Sequence, residues 1–329
     1  MKASFEAIAL NVTGGEEVES VEHIQTLWSG YGEILRVYVN GGTHPSIVLK
    51  SIVLPEAVKH PRGWNTDRSH ARKLKSYDVE MHWYRDWSHR CGDMCRVASC
   101  LEVVSSGGQQ TIVLEDLNAA GFDARKEALT QRELAVCLSW LANFHATFLN
   151  EPVPGLWATG TYWHLATRPD ELAAMQDIEL QRAASDIDRA LNGSRYQTIV
   201  HGDAKVANFC FSSDGASVAA VDFQYVGGGC GMKDVAYLMG SCLTEQQCEL
   251  WEGELLAIYF QEVELALQRL NKDVDFKALK SEWLSLFPYA WADFHRFLLG
   301  WMPSHAKVNG YSERLTSRVI ADLAKKPFD

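Results

Sequence analysis

Residues 199–211 read IVHGDAKVANFCF, and His201, Gly202, Asp203, Lys205 and Asn208 fall there within eight positions. Asp222 ends a second apolar stretch, residues 218–224 (VAAVDFQ). A carboxylate with an amide five residues later, joined by a second carboxylate, is the set that magnesium-dependent phosphoryl transfer requires. One Asp receives the acceptor hydroxyl, while the Asn and the other Asp hold metal against the phosphates. To bring them to one end, β-branched Ile199 and Val200 must enter as a buried strand and residues 218–224 must return as another. Ser212-Ser213-Asp214-Gly215 between them has the composition of a hairpin turn. The plainer alternative is a strand-turn-strand whose Asp and Asn only stabilise turns.

At these residues the chain resembles the superfamily of aminoglycoside phosphotransferases, choline kinases and ecdysteroid-kinase-like proteins, which has a protein-kinase-like fold. Its signature is His-x-Asp, an Asn five residues after the Asp, then Asp-Phe or similar at a strand end. His201, Asp203, Asn208 and Asp222 match it one by one. The resemblance implies an α+β, two-lobed fold with the active site in the cleft between the lobes. It implies ATP and Mg2+ as cofactors and transfer of the γ-phosphoryl to a hydroxyl of a small-molecule acceptor: choline, an aminoglycoside, a sugar or an ecdysteroid-like alcohol. In that scheme Asp203 is catalytic base or hydroxyl positioner, Asn208 and Asp222 bind the metal, Lys205 meets the γ-phosphoryl and His201 supports the loop. Asp234 resembles the group's structural aspartate, which orients the catalytic loop.

Only eleven residues separate Asp222 from Asp234, too few for a protein kinase's activation segment. Gln224 stands where protein kinases have glycine, so the backbone there is less free. Lys205 points the other way, since serine/threonine protein kinases carry a lysine two residues after the aspartate. A pseudokinase or nucleotide-binding scaffold on the same fold, and less so a protein kinase, are the rival readings.

The small lobe is expected over residues 1–117, with five antiparallel strands and one helix. Residues 21–28, 33–40 and 46–54 read as its first strands. Ser29-Gly30-Tyr31-Gly32 lies between the first two, either a connection whose amides approach phosphates or an ordinary hairpin turn. Lys50 sits mid-strand with apolar Val48 and Ile52 on its own face, which points it toward a buried or functional place. Residues 69–90 have helical spacing in Leu74, Tyr77, Met81 and Tyr84, and put Glu80 where it can pair with Lys50 on the nucleotide phosphates. Asp78 and Asp86 are alternative partners. Strands follow at 94–104 and 110–117. By resemblance, the run from Glu115 to Leu117 is the hinge whose backbone contacts adenine.

Residues 118–329 are expected to form the helical catalytic and acceptor-binding lobe. Helices read at 126–149, with His145 as a structural histidine, at 170–191 with Asp170 as N-cap, and at 245–270, 275–302 and 311–325. Gly227-Gly228-Gly229-Cys230-Gly231 reads as a flexible turn. Acidity concentrates in this half, beside Trp157, Tyr162, Trp163, Trp283, Tyr289, Trp291 and Trp301. Those rings either attract a cationic acceptor or, with Leu284, Phe287, Phe294 and Leu298, form an ordinary buried core.

The whole chain has 329 residues, 47% hydrophobic and 22% charged, which suits a globular enzyme. Its net charge of -11 argues against a nucleic-acid partner. The start has no apolar signal segment, and Pro288, Asp293, His295 and Arg296 interrupt the most apolar late stretch, so no membrane association and a cytoplasmic location are expected. The eight cysteines form no Cys-x-x-Cys pair and read as reduced thiols.

Overall fold

The computed structural model describes residues 2–27, 30–53, 67–106 and 108–325. Trp28, Ser29 and Leu54, which the expected strand ends and turns include, lie outside the described residues. The chain folds as two compact units. The first takes the chain up to Arg125 together with Cys210–Gln224, and the second takes Lys126–Phe209 and the chain from Tyr225 on.

The first unit is built on a five-stranded antiparallel sheet: β1 (Glu17–Thr26), β2 (Gly32–Asn40), β3 (Ser46–Val53), β4 (Cys100–Ser106) and β5 (Gln109–Glu115), in the order β1-β2-β3-β5-β4. Alternation sends Leu35, Val37 and Val39 of β2 and Ile47 and Leu49 of β3 to one face, where Phe5 and Ala9 of helix α1 (Lys2–Thr13) close the core. The sequence reading assigned no element to α1, whose apolar residues run all round without a clean stripe. Lys50 follows Leu49 and therefore faces the opposite side of the sheet.

Helix α2 (Asp67–His82) ends earlier than the expected 69–90. The chain continues as one wide π-type turn over Trp83–Trp87 and a tight turn over Ser88–Arg90. The first residues of the strand expected at 94–104 form another tight turn, Asp93–Cys95.

The hairpin after the motif turn begins at Phe209 of the second unit and continues in the first. Strands β7 (Phe209–Phe211) and β8 (Val218–Ala220) pair, and Asp214 closes the turn by accepting from the Ser212 hydroxyl and the Ala216 N–H. Phe211 exchanges main-chain bonds with Ala124 at 2.9 and 3.0 Å, and Ala220 N–H donates to the Arg96 carbonyl. These bonds place the returning arm, and Asp222 with it, in the first unit.

The second unit is helical: α3 (Gln131–Thr147), α4 (Pro169–Ala174), α5 (Ile178–Asn192), α6 (Met232–Cys242), α7 (Glu245–Arg269), α8 (Phe276–Trp301) and α9 (Gly310–Lys325). Helix α3 starts five residues later than expected because Thr130 and Glu133 form a capping box. The single helix expected at 170–191 is two. Asp177 caps α5 by accepting from Leu180 N–H, while Asp170 lies in the first turn of α4 behind Pro169. The glycine run is no flexible turn: Gly227–Gly229 is strand β9, antiparallel to β6 (Thr198–Val200). A Cβ on Gly227 would come within 2.2 Å of the Trp157 carbonyl oxygen, so the close approach itself demands glycine.

Trp283 and Trp291 are core residues of α8. Trp283 donates to the Tyr196 carbonyl, and Trp291 packs edge-on against Tyr311. Trp283 and Trp291 are thus core residues, whereas Tyr289 and Trp301 are half-buried and Leu284 is exposed. Among the described residues, no helix is long and apolar enough to cross a membrane.

Candidate active site

In the first unit, β3 carries Lys50, α2 carries Glu80 and the end of the hairpin carries Asp222. Lys50 Nζ lies 2.7 Å from Glu80 Oε2 and 3.4 Å from Asp222 Oδ1, so the expected partner is Glu80, with Asp78 paired instead to His82. Lys50 and Glu80 are both buried, whereas the Asp222 side chain is 35% exposed. Burial works against the Lys50 ammonium, but Glu80 and Asp222 outweigh it and hold its pKa above the ordinary lysine value.

Asp222 adopts a left-handed conformation (φ 69°), which a non-glycine residue keeps only when its surroundings hold it there. Two neighbours supply that hold. Phe223 stacks on Trp83 with centroids 4.6 Å apart and meets Tyr84 edge-on, which is what the wide turn after α2 provides. Gln224 Oε1 accepts from Lys73 Nζ at 2.7 Å and from the Ser76 hydroxyl at 3.3 Å. The sequence reading saw Gln224 only as a departure from glycine and missed this anchor.

The remaining residues expected near nucleotide have structural duties. Gly30 (φ 75°) donates to the Leu27 carbonyl, and Leu27 N–H donates to the Gly32 carbonyl, closing the β1–β2 hairpin. Gly32 (φ 142°) leaves room for Ser51, whose carbonyl oxygen would lie 1.9 Å from an added Cβ. The Glu115 carboxylate is held by Arg96 and the Ser99 N–H, and this ionic pairing overcomes burial to lower its pKa. Leu117 is buried and its carbonyl accepts from Phe122 N–H at 2.8 Å. Between them the unforeseen Asp116 takes Arg36 Nε at 2.8 Å and the Ser46 hydroxyl at 2.7 Å.

In the second unit, the turn after β6 carries His201, Asp203, Lys205 and Asn208. Asp203 Oδ2 accepts from Lys205 Nζ at 2.9 Å and from Asn208 Nδ2 at 3.1 Å, and the same amide donates to the Asp203 carbonyl at 2.8 Å. The loop backbone hangs on Asp234 at the start of α6. Its two oxygens accept the His201 N–H at 2.6 Å and the Gly202 N–H at 2.9 Å. Buried His145 bridges Asp234 at 3.1 Å and the Tyr259 hydroxyl at 2.8 Å, the satisfied structural histidine expected. His201 is buried, its Nδ1 accepts from Asp203 N–H, and its ring lies edge-on to Trp140. It therefore supports the loop rather than presenting a reactive nitrogen.

A two-lobed α+β molecule with a small antiparallel sheet and these two clusters has a protein-kinase-like fold. The chain belongs to the ecdysteroid kinase-like family, whose model matches residues 31–150 and 161–272. Among solved structures it is similar to a choline kinase from Cryptosporidium parvum Iowa II (12% identical, 99% of this chain and 97% of that one, TM-score 0.55). It is also similar to a microcompartment-associated aminopropanol kinase (14%, 98% and 97%, 0.52) and to an ethanolamine kinase from Plasmodium vivax (12%, 92% and 83%, 0.50). At these identities the likeness is one of fold. No curated protein matches the chain. Family and fold together support a kinase-like phosphotransferase.

Proposed function

We propose that this protein moves the γ-phosphoryl of ATP to a hydroxyl of a small molecule, an amino alcohol, an aminoglycoside or an ecdysteroid-like alcohol. The observation that carries the reading is the buried Lys50 ammonium, held charged between Glu80 and Asp222. A buried ion pair adds little to stability by itself, so a lysine kept charged in this way is read as a group for an anionic ligand. Lys50 contacts the α and β phosphates, the main chain between Glu115 and Leu117 meets the purine, and Gly30 and Gly32 shape the turn near the phosphates.

Asp203 receives the acceptor hydroxyl and orients or takes its proton, with Lys205 beside it to neutralise the γ-phosphoryl. The donor set fits Mg2+, which takes hard oxygen ligands. The Asn208 Nδ2 is turned onto Asp203, which turns its Oδ1 away, and Asp222 offers a partly exposed carboxylate. Asn208 and Asp222 would hold the ion, which screens phosphate charge when bound. A cytoplasmic location, with the cysteines as free thiols, belongs to the same reading.

Thermal denaturation with Mg-ATP tests it. Nucleotide at a hundred times its dissociation constant stabilises the folded state by about 2.7 kcal/mol. The melting temperature should rise accordingly, and Asp222→Asn should shrink the rise. A screen of hydroxyl acceptors with radiolabelled ATP then reads transfer. No shift with nucleotide, and no labelled product, would sink the proposal.

A further inference from the structure

Asp203 has neighbours in its own unit that lie outside the phosphotransfer signature. The Tyr237 hydroxyl, one turn after Asp234 on α6, lies within hydrogen-bonding reach of Asp203 and Tyr162. Tyr237 opens onto an aromatic cluster, with centroid distances of 4.9 Å to Trp163 and 5.0 Å to Phe294, and 5.4 Å between Tyr162 and Phe297. Such rings beside an acceptor aspartate would suit a cationic acceptor. Here the chain's own cations already sit on them. Lys307 Nζ stands 5.0 Å from the Tyr237 centroid and 5.6 Å from that of Phe294. The Arg168 guanidinium stands 5.0 Å from the Phe297 centroid and 5.9 Å from that of Tyr162.

The two cations differ in role. Arg168 is tied to Glu171 at 2.9 Å and to the Tyr162 carbonyl at 2.7 Å, so it braces the cluster. Lys307 lies between α8 and α9, and Asp203 and Lys205 of the active turn act on it together with the Cys242 thiol of α6. Burial pushes its ammonium down to about 8, Asp203 pulls it up and Lys205 pushes it down again. It thus shares the field of the two residues that meet the acceptor and the γ-phosphoryl.

We propose that Lys307 is a specificity-determining residue of the acceptor site: its ammonium occupies the aromatic position beside Asp203, so the site takes uncharged hydroxyl compounds and rejects cationic ones. A second ammonium there meets like charge in a partly desolvated place and finds the ring faces taken. The inference rests on the proposed role of Asp203 at the acceptor hydroxyl. It narrows the acceptors proposed above to the ecdysteroid-like alcohol, setting aside the amino alcohol and the aminoglycoside, and the reason is a single side chain.

The test compares choline with 3,3-dimethylbutan-1-ol, which has the same shape with carbon in place of the charged nitrogen. Dissociation constants come from ligand-observed NMR titrations of the full chain, which need no turnover. The wild type should bind the neutral alcohol at least about tenfold more tightly, a difference equivalent to about 1.4 kcal/mol. Lys307→Met should abolish or reverse that order, and Lys307→Arg should keep it, which separates charge from packing. Lys307→Gln serves if the Met variant does not fold.

Wild-type protein that binds choline as well as its isostere overturns the proposal. So does an unchanged ratio in Lys307→Met, or no binding of either compound by any of the proteins. If the ratio behaves as expected but no acceptor is phosphorylated, the phosphotransfer reading fails alone. If transfer is seen and the ratio ignores Lys307, only this inference fails.

Discussion

Lys50, Glu80 and Asp222 come from three elements, the first and last 172 positions apart, whereas His201, Asp203, Lys205 and Asn208 share one eight-residue turn. The two clusters are held by different means. In the turn, hydrogen bonds between near neighbours set the Asp203–Asn208 geometry, and one distant carboxylate, Asp234, fixes the backbone. Around Lys50, nothing local holds the set together. The strand, the helix and the hairpin each deliver one charge, and the stacking of Phe223 on Trp83 and the grip of α2 on Gln224 align them. A locally built cluster keeps its shape if its anchor survives, while one built from packing loosens wherever its elements shift.

The largest expected effect separates the two chemically. Asp203→Asn should cut transfer by about 10² to 10⁴, the usual contribution of a positioned base, and leave the nucleotide-induced melting shift intact. Equal loss of both would mean that the clusters do not divide the work. Next is the anchor. Asp234→Asn turns an amide toward the His201 and Gly202 N–H groups, and hydrogen bonds to a charged acceptor contribute about 1.5–3 kcal/mol. A stability loss of about 3 kcal/mol in urea denaturation is expected, and a loss below about 1 kcal/mol would show that the turn holds itself.

Acid should act on the unit that contains Asp203. His295 is buried there and His164 half-buried, and desolvation, aided at His164 by Lys233, lowers each to about 4 from an ordinary 6.5. Between these values the unfolded chain binds protons that the folded chain refuses, so stability is full above pH 6.5 and falls progressively toward pH 4. Urea midpoints across that range should decline, and the decline should flatten in a His164→Asn, His295→Gln variant. A profile identical to the wild type would remove this assignment.

The smallest effect sharpens the packing side of the comparison. Gln224→Ala should cost about 1 kcal/mol, one hydrogen-bond anchor's worth. It should also speed amide exchange around Asp222 while leaving exchange at Asp203 unchanged. Faster exchange at both places would mean that the two clusters are coupled through Gln224.

The amino-acid sequence by itself determined the chemistry-bearing turn, because a short loop's geometry follows from residues a few positions apart. Asp203, Asn208 and Lys205 meet as their spacing requires, and the Ser212–Gly215 turn forms where its composition places it. Sheet strands with clear alternation were legible for the same reason, and so was Lys50, whose apolar face-mates could not leave it in solvent. Helix starts at Gln131 and Ile178 were missed because side-chain caps, not periodicity, set them. Only the tertiary structure decided that Gly227–Gly229 is a strand, since Trp157 comes to it from 70 positions away. It alone decided that Gln224 grips α2 and that Lys307 sits on the rings beside Asp203. These are contacts between distant residues with no fixed spacing, and burial and ring packing, which the linear chain does not display, select them.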